Sequence, residues 1–122
     1  MEDCIFCKLA NRVIPTNVVF EDEIVSVFMD ANPKANGHML IVPKKHFTDF
    51  TEIDSETIKH IHEVARQMKE LIYAKLNPSG LMLLNNYGSL QEVKHYHLHI
   101  VPAYEKEQEI VSVDETFNKL MN

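Results

Sequence analysis

The most informative part of this chain is His95-Tyr96-His97-Leu98-His99-Ile100-Val101, in which histidine alternates with bulky side chains. Successive side chains of a β-strand point to opposite faces, so the three histidines would share one face, about 7 Å apart along the chain. The side chains between them would face the other way and contribute to a core. The pattern predicts a strand over residues 95–101, ended by Pro102, with one apolar face and one face made of imidazole.

A row of three imidazoles on one strand face can be read in three ways. The simplest is a polar face exposed to water. The others are metal binding and phosphate chemistry, in which neutral imidazole acts as a nucleophile or a hydrogen-bond donor. The row alone does not separate the last two. Two further histidines, His60 and His62, lie two positions apart on a predicted helix, where they diverge by about 200°, and are expected at the surface.

Hydrophobic periodicity predicts the rest of the fold. A short helix is expected over residues 4–10, and strands are expected over residues 17–21, 24–29, 38–42 and 81–84. A long helix is expected from Asp54 or Ser55 to Leu76. Its buried stripe would consist of Ile58, Ile61, Ala65, Met68 and Ile72. Five strands, one long helix and a short N-terminal helix indicate an α+β fold, with an antiparallel sheet covered on one face.

Length and composition restrict the class of protein. The chain has 122 residues, enough for a single domain over residues 1–122, and its formal net charge is −6. That charge argues against a nucleic-acid partner, which a basic surface would attract. No apolar stretch approaches the roughly 20 residues that span a bilayer. The start, Met1-Glu2-Asp3, is acidic where a secretory signal would be basic. We therefore expect a cytoplasmic protein that binds neither nucleic acid nor membrane.

A Cys-x-x-Cys pair, Cys4 and Cys7, stands near the start of the chain. Two thiolates at this spacing can chelate Zn²⁺, which takes four tetrahedral ligands, and histidine is the natural supply of the other two. The candidates are His46 and His95. The alternative is a redox pair or inert thiols, but a thioredoxin-like pair belongs to a βαβ unit, and no strand precedes this one.

Three segments together resemble the histidine-triad (HIT) family. Residues 95–101 resemble the family signature, His-φ-His-φ-His-φ-φ with φ apolar, and residues 37–46 resemble its second recognisable segment. The opening Cys-Ile-Phe-Cys-Lys of residues 4–8, followed by Ile14-Pro15 and Phe20-Glu21-Asp22, is similar to the Hint branch with its zinc-carrying members. The likeness covers residues 4–102 and implies a HIT-like fold. The tail, residues 103–122, matches nothing in the family.

The resemblance implies a two-step reaction on purine nucleoside phosphoramidates, phosphosulfates or related nucleotide esters. His97 would attack the α-phosphorus and form a nucleotidyl-histidine, which water then cleaves. If the distal ring nitrogen attacks, the proximal nitrogen should keep its proton and donate it to a carbonyl. His99 and His38 would hydrogen-bond the non-bridging phosphate oxygens and stabilise the charge of the transition state.

The resemblance also implies the binding residues. Structural zinc would be held by Cys4, Cys7, His46 and His95. The ribose would be held by Asp30, and the base by an apolar pocket of Ile5, Phe6, Leu9 and Phe28. Asn86, or its neighbour Asn85, would lie near the scissile phosphate.

The loop before the triad departs from the family pattern. Residues 88–92, Gly-Ser-Leu-Gln-Glu, are shorter than the usual glycine-containing loop and put Glu92 where Ser or Thr often assists the leaving group. Because a carboxylate repels a neighbouring phosphate, Ser89 or Gln91 would have to serve the leaving group instead. The chain also lacks the C-terminal tryptophan of some Hint relatives.

Several alternatives to a phosphoramidase remain. One is a dinucleoside polyphosphate hydrolase of the Fhit type, and another is a non-enzymatic, zinc-stabilised nucleotide-binding module. Lys44-Lys45-His46 and the two cysteines favour the Hint branch, and His97 in mid-row favours an enzyme. Relatives imply a homodimer with the long helix and a central strand at its interface. On the helix, the apolar surface for this dimer interface would be provided by Met68, Leu71, Ile72 and Tyr73.

Overall fold

The structure is a computed structural model that describes residues 3–122. In that part of the chain the elements follow in the order α1 (Ile5–Ala10), β1 (Val18–Glu21), β2 (Val25–Met29), β3 (Met39–Pro43), α2 (Ser55–Leu76), β4 (Gly80–Leu84), β5 (Leu98–Ala103) and α3 (Val113–Met121). The predicted α+β class and all five strands are confirmed.

The strands form one antiparallel sheet in the order β1-β2-β3-β5-β4. Helices α2 and α3 cover one face and bury the main core. The short helix α1 packs on the opposite face, where Phe6 and Leu9 meet Phe28, Leu40 and neighbouring apolar side chains. This second, smaller apolar cluster lies on the face that carries the triad rings.

Helix α2 has the predicted bounds because both ends are specified locally. Asp54 is the N-cap, and its carboxylate accepts a hydrogen bond from Thr57 N over 3.3 Å. Asn77 ends the helix in the left-handed conformation with φ 49°. The predicted stripe is buried except for Ile58, which is partly buried, and Val64 joins it. No helix within residues 3–122 has the length and apolar character needed to cross a bilayer.

The triad segment starts its strand later than predicted. β3 pairs with β5 only as far as Leu98, and β4 only as far as His99, so residues 95–97 have no strand beside them. Tyr96 N–H donates instead to Phe47 O, 2.7 Å away. The predicted alternation is kept nevertheless, because Tyr96 and Leu98 lie in the core under α2.

The same strand also ends later than predicted. Pro102 lies inside β5, which runs to Ala103, rather than stopping it. Only β4 still flanks the strand at this point, because β3 pairs no further than Ile100. Proline is tolerated at such an edge position because no second neighbour needs its missing N–H.

Helix α3 was missed by the sequence analysis. Ser112 is its N-cap, and Ser112 Oγ accepts a hydrogen bond from Glu115 N over 3.1 Å. The signal was present as Ser-x-x-Glu, the pattern of a capping box, followed by apolar residues at helical spacing. Those residues, Val113, Phe117 and Leu120, pack on the main core.

The segment between β5 and α3, residues 104–111, forms a strap across the turn that precedes β3. Asn36 is its anchor: Nδ2 donates to Glu109 O over 3.0 Å, Oδ1 accepts from Val111 N over 3.0 Å, and Asn36 O accepts from Tyr104 Oη over 2.7 Å. The next residue, Gly37, has φ 95°, and a Cβ there would lie 2.6 Å from Leu76 Cδ1. The strap therefore fixes the turn that leads into His38.

Candidate functional site

The centre of the site is the ring of His97, which lies just before β5. Its Nδ1 is 2.7 Å from His95 O, and since a carbonyl oxygen only accepts, Nδ1 carries a proton and donates it. In the neutral ring Nε2 is then unprotonated. The ring lines a cavity and packs edge-on against Phe6, with centroids 4.8 Å apart. The expected donation to a carbonyl is thus present.

His38 and His99 form a hydrogen-bonded chain beside it. Lys34 N–H donates to His38 Nδ1 over 3.1 Å, so neutral His38 carries its proton on Nε2. His38 Nε2 lies 2.9 Å from His99 Nδ1, to which it donates this proton, and 3.4 Å from Asp30 Oδ2. His99 accepts it on Nδ1, which leaves its own proton on Nε2, free to be donated elsewhere. His38 is 1% exposed, and it orients His99 in this arrangement.

Burial sets the charge of these rings. It lowers the pKa of His97 below the usual 6.5, although the His95 carbonyl and the carboxylates of Asp30 and Glu92 act in the opposite direction. Burial also lowers the pKa of His38. The pKa of His99 falls to about 4, through burial and the neighbouring charges of His97 and His38. At neutral pH the rings are therefore uncharged, and His97 keeps a lone pair on Nε2.

The cavity has a volume of about 750 Å³, within the range of small-molecule sites. Its walls include the predicted residues Phe6, Leu9, Phe28, Asp30, His38, Asn86, His97 and His99. Asn85 does not line it: Asn85 Nδ2 donates to His97 O over 3.0 Å and so holds the triad backbone. Sequence reasoning missed several lining residues, among them Lys34, which no local motif marks, and Leu40 and Leu90, which lie in segments that were noted for other residues.

Three of the predicted binding residues lie elsewhere. Ile5 is half-exposed and does not line the cavity, because the first turn of α1 points it outward. Gln91 is buried, and its Nε2 donates to Thr48 O over 2.7 Å. Ser89 lies exposed in the 3₁₀ turn. The residues of this loop that line the cavity are Leu90 and Glu92, and both are exposed at its rim.

The four residues predicted as zinc ligands come together on the far side of α1. The donor atoms of Cys4, Cys7, His46 and His95 all lie within 4.8 Å of one another. His95 Nδ1 is 3.3 Å from both sulfurs, and His46 Nδ1 is 3.3 Å from Cys7 Sγ. Tetrahedral zinc would hold sulfur and nitrogen about 3.5 Å apart, given bonds of about 2.3 and 2.0 Å. The cluster could therefore hold a metal ion with little adjustment.

The surroundings of the cluster also suit a cation. His95 Nε2 donates to Pro43 O over 2.8 Å, which leaves the Nδ1 lone pair directed at the thiols. Burial, with the hydrogen bond and charge of Cys4, raises the pKa of the Cys7 thiol to about 11. A thiol so protonated is a poor redox nucleophile, whereas a bound cation would supply the charge that stabilises its thiolate.

The two helix histidines differ from each other. His62 is exposed, as expected. His60 is partly buried, because its Nε2 lies 2.6 Å from Asp22 Oδ2 and ties α2 to the β1–β2 turn. Asp22 also accepts hydrogen bonds from Ile24 N and Val25 N. Both contacts are structural.

Comparisons with known proteins agree with this geometry. The family model described as the HIT domain matches residues 11–106. A HIT-like protein of Methanocaldococcus jannaschii is 45% identical over 118 residues, covering 94% of this chain and 90% of its own. The adenosine 5′-monophosphoramidase of Saccharomyces cerevisiae is 30% identical over 108 residues, covering 88% of this chain and 67% of its own. A zinc-bound histidine triad family protein of Mycobacterium smegmatis superposes with a TM-score of 0.88 at 27% identity, covering 98% of this chain and 91% of that one. The resemblance read from the triad is confirmed, and this chain belongs to the HIT family.

Proposed function

We propose that this protein hydrolyses purine nucleoside 5′-phosphoramidates, or related nucleotide esters, at the α-phosphorus through a nucleotidyl-histidine on His97. The observation that carries the proposal is the His97 ring, whose Nδ1 is committed to His95 O at 2.7 Å. Its Nε2 is left as a neutral nucleophile in a cavity of nucleotide size. The likeness to a monophosphoramidase supports the same substrate class.

The reaction needs two displacements at phosphorus. The Nε2 lone pair of His97 attacks the α-phosphorus, the phosphorus–nitrogen bond breaks, and the amine leaves with a proton from solvent. Water then attacks the nucleotidyl-histidine and returns His97 to its neutral form. Overall, one water molecule is consumed. The amine gains its hydrogen and the phosphorus gains its hydroxyl group.

The neighbouring residues divide the remaining work. His99 Nε2–H donates a hydrogen bond to a non-bridging phosphate oxygen, where negative charge builds up in the transition state. His38 acts through His99 by fixing which nitrogen carries that proton. Asp30 accepts hydrogen bonds from the ribose, and Phe6, Leu9 and Phe28 hold the base against the α1 face of the sheet.

The covalent intermediate provides the decisive test. Brief exposure to an adenosine phosphoramidate is expected to leave an adenylyl adduct on His97, detected by mass spectrometry, and the His97→Asn variant should show neither adduct nor turnover. His62→Asn, which changes an exposed histidine on α2, serves as the control. Full turnover by His97→Asn would contradict the mechanism.

Two other outcomes would favour the alternatives. Faster turnover of diadenosine triphosphate than of adenosine phosphoramidate would indicate the Fhit type of hydrolase. Tight AMP binding with no turnover of either compound would indicate a nucleotide-binding module.

We further propose that Cys4, Cys7, His46 and His95 hold a structural zinc ion. The donor distances and the His95–Pro43 hydrogen bond support this, and a zinc-bound structural relative has the same fold. All four tetrahedral positions would be filled by protein, so zinc would take no part at phosphorus. Metal analysis of the purified protein should find about one zinc per chain, and Cys7→Ser should lose most of it. Stoichiometric loss of the two thiols to a disulfide under mild oxidation would favour a redox pair.

We also propose that the protein is a homodimer. The prediction that Met68 and Ile72 of α2 provide apolar surface for the dimer interface is wrong, because both side chains are buried in the chain's own core. Support comes instead from β4, which is an edge strand with Met82 and Leu83 nearly half exposed. An exposed apolar edge strand is a ready template for pairing with a second copy.

A further inference from the structure

The rim residue Glu92 bears on which leaving group the cavity accepts. Under the proposed function the nucleoside is anchored by Phe6, Leu9, Phe28 and Asp30, which line one part of the cavity. A leaving group bonded to the same phosphorus points away from that anchor, toward the wall that the nucleoside does not use. The lining residues of the loop before the triad, which are Asn86, Leu90, Glu92 and Val93, would form that wall.

Glu92 is the charged member of this wall. Among the cavity-lining residues of the described chain between positions 86 and 93, it alone is ionisable. None of the ion pairs found within residues 3–122 engages it. Two cations lie in the region, Lys34 in the cavity lining and Lys94, whose Nζ donates to Gly88 O over 2.7 Å, and neither forms an ion pair with Glu92 among the described residues.

The carboxylate is exposed at the cavity mouth, where a substrate group can reach it without being fully desolvated. Its charge can act on the reaction centre, because Glu92 and His97 line the same cavity. A negative charge at this position repels an anionic leaving group and attracts a cationic one. Ser89 and Gln91, which could have provided a neutral contact, lie away from the cavity.

We propose that Glu92 makes this protein select nucleoside phosphoramidates whose leaving amine carries a separate, permanent positive charge. This inference rests on the proposed phosphoramidase function and adds the class of leaving group. Carboxylated amines and a second nucleotide would be disfavoured by the same charge. The effect is electrostatic, so it falls as ionic strength rises.

The size of the effect follows from Coulomb's law. Two unit charges about 7 Å apart at a partly solvated rim, with an effective dielectric constant of about 40, change kcat/KM by roughly five- to tenfold. A change of this size in kcat/KM is measurable by steady-state kinetics. Because it comes from one charge, a single substitution should abolish it.

Two adenosine phosphoramidates of equal size test the proposal. In one the amine carries a trimethylammonium group, and in the other a tert-butyl group on the same two-carbon arm. The wild-type protein is expected to prefer the cationic substrate by roughly five- to tenfold in kcat/KM. The readout is this ratio, which should approach one in Glu92→Gln and shrink in high salt. Glu70→Gln removes the same charge from the exposed surface of α2 and should keep the wild-type ratio.

The outcomes separate the two proposals. Turnover of both substrates with a ratio near one in the wild type, or an unchanged ratio in Glu92→Gln, overturns the role of Glu92 and leaves the phosphoramidase standing. No turnover of either substrate by the wild type overturns the phosphoramidase and the leaving-group preference together.

Discussion

His95 and His97 are two residues apart, yet the fold gives their rings opposite tautomers. His95 donates from Nε2 to Pro43 O, which leaves Nδ1 for the thiol cluster. His97 donates from Nδ1 to His95 O, which leaves Nε2 for the cavity. One carbonyl partner per ring therefore gives two residues of a repeated motif different roles, a candidate metal ligand and a candidate nucleophile.

His38 is expected to affect catalysis through His99. His38→Ala removes the donor to His99 Nδ1, so the His99 proton is no longer held on Nε2. We expect kcat/KM for an adenosine phosphoramidate to fall about 10- to 100-fold, as for other groups that orient a functional imidazole. Steady-state kinetics measures this, with metal content unchanged as the control. Wild-type activity in His38→Ala would show that His99 needs no such partner.

The stability of the fold should fall in mild acid because of His99. Its pKa is lowered from 6.5 to about 4, mainly by burial. Between these values the unfolded chain takes up a proton that the folded chain refuses, so the free energy of unfolding decreases as pH falls through that window. The full shift corresponds to at most about 3 kcal/mol.

Urea denaturation across that pH window measures the effect. His99→Asn should show a shallower loss of stability with acid than the wild type, and His62→Asn, at an exposed position, should follow the wild type. Parallel pH dependences for His99→Asn and wild type would refute the assignment to His99.

At the scale of elements, α1 joins the two sites. It has six residues, too few to be stable alone. Cys4 and Cys7 hold one side of it in the thiol cluster, while Phe6 and Leu9 form the cavity wall on the other. The order of the cavity wall should thus depend on the proposed metal. The strap of residues 104–111 similarly stabilises the turn before His38, through its hydrogen bonds to Asn36.

Removing the metal is therefore expected to affect both stability and nucleotide binding. A chelator should lower Tm by about 5–10 °C, the size expected for a loss of one to two kcal/mol in a domain of this length, and should weaken AMP binding because Phe6 and Leu9 lose their support. Thermal unfolding and AMP titration measure the two effects. The chelator should have no further effect on Cys7→Ser, and an unchanged Tm in the wild type would contradict a structural metal.

At the scale of the whole molecule, the exposed edge of β4 stands out. β1, at the other end of the sheet, is covered in part by α3, whose Asp114 accepts a hydrogen bond from Asn17 just before β1. β4 has Met82 at 48% and Leu83 at 46% exposure instead. Pairing of two β4 strands would continue the sheet through a second copy.

Dimer disruption tests this pairing. Leu83→Lys puts a charge into the proposed interface and should convert a dimer into a monomer, measured by light scattering after size-exclusion chromatography. Val13→Lys, which changes an apolar residue 68% exposed far from β4 in sequence, should stay dimeric. A monomeric wild type would refute the homodimer.

The hydrophobic periodicity of the sequence was sufficient to predict most of the strands and helices, because it reflects local backbone geometry. Alternation placed Tyr96 and Leu98 in the core, and helical spacing with an Asp54 cap predicted α2. Where the cause is a distant partner, the prediction failed: β5 begins at Leu98 because β3 and β4 stop pairing there, and Pro102 is tolerated because one neighbour is missing.

Short-range patterns were enough to predict the five strands, the long helix, the family and the residue types of both candidate sites. Contacts between distant segments were needed to establish which nitrogen each histidine presents, that Gln91 turns inward to Thr48, and that Glu92 lies at the cavity rim. The physical reason is that a tautomer or a side-chain direction is set by a hydrogen-bond partner from another segment. His95 depends in this way on Pro43, 52 positions away, and no local pattern records such a contact.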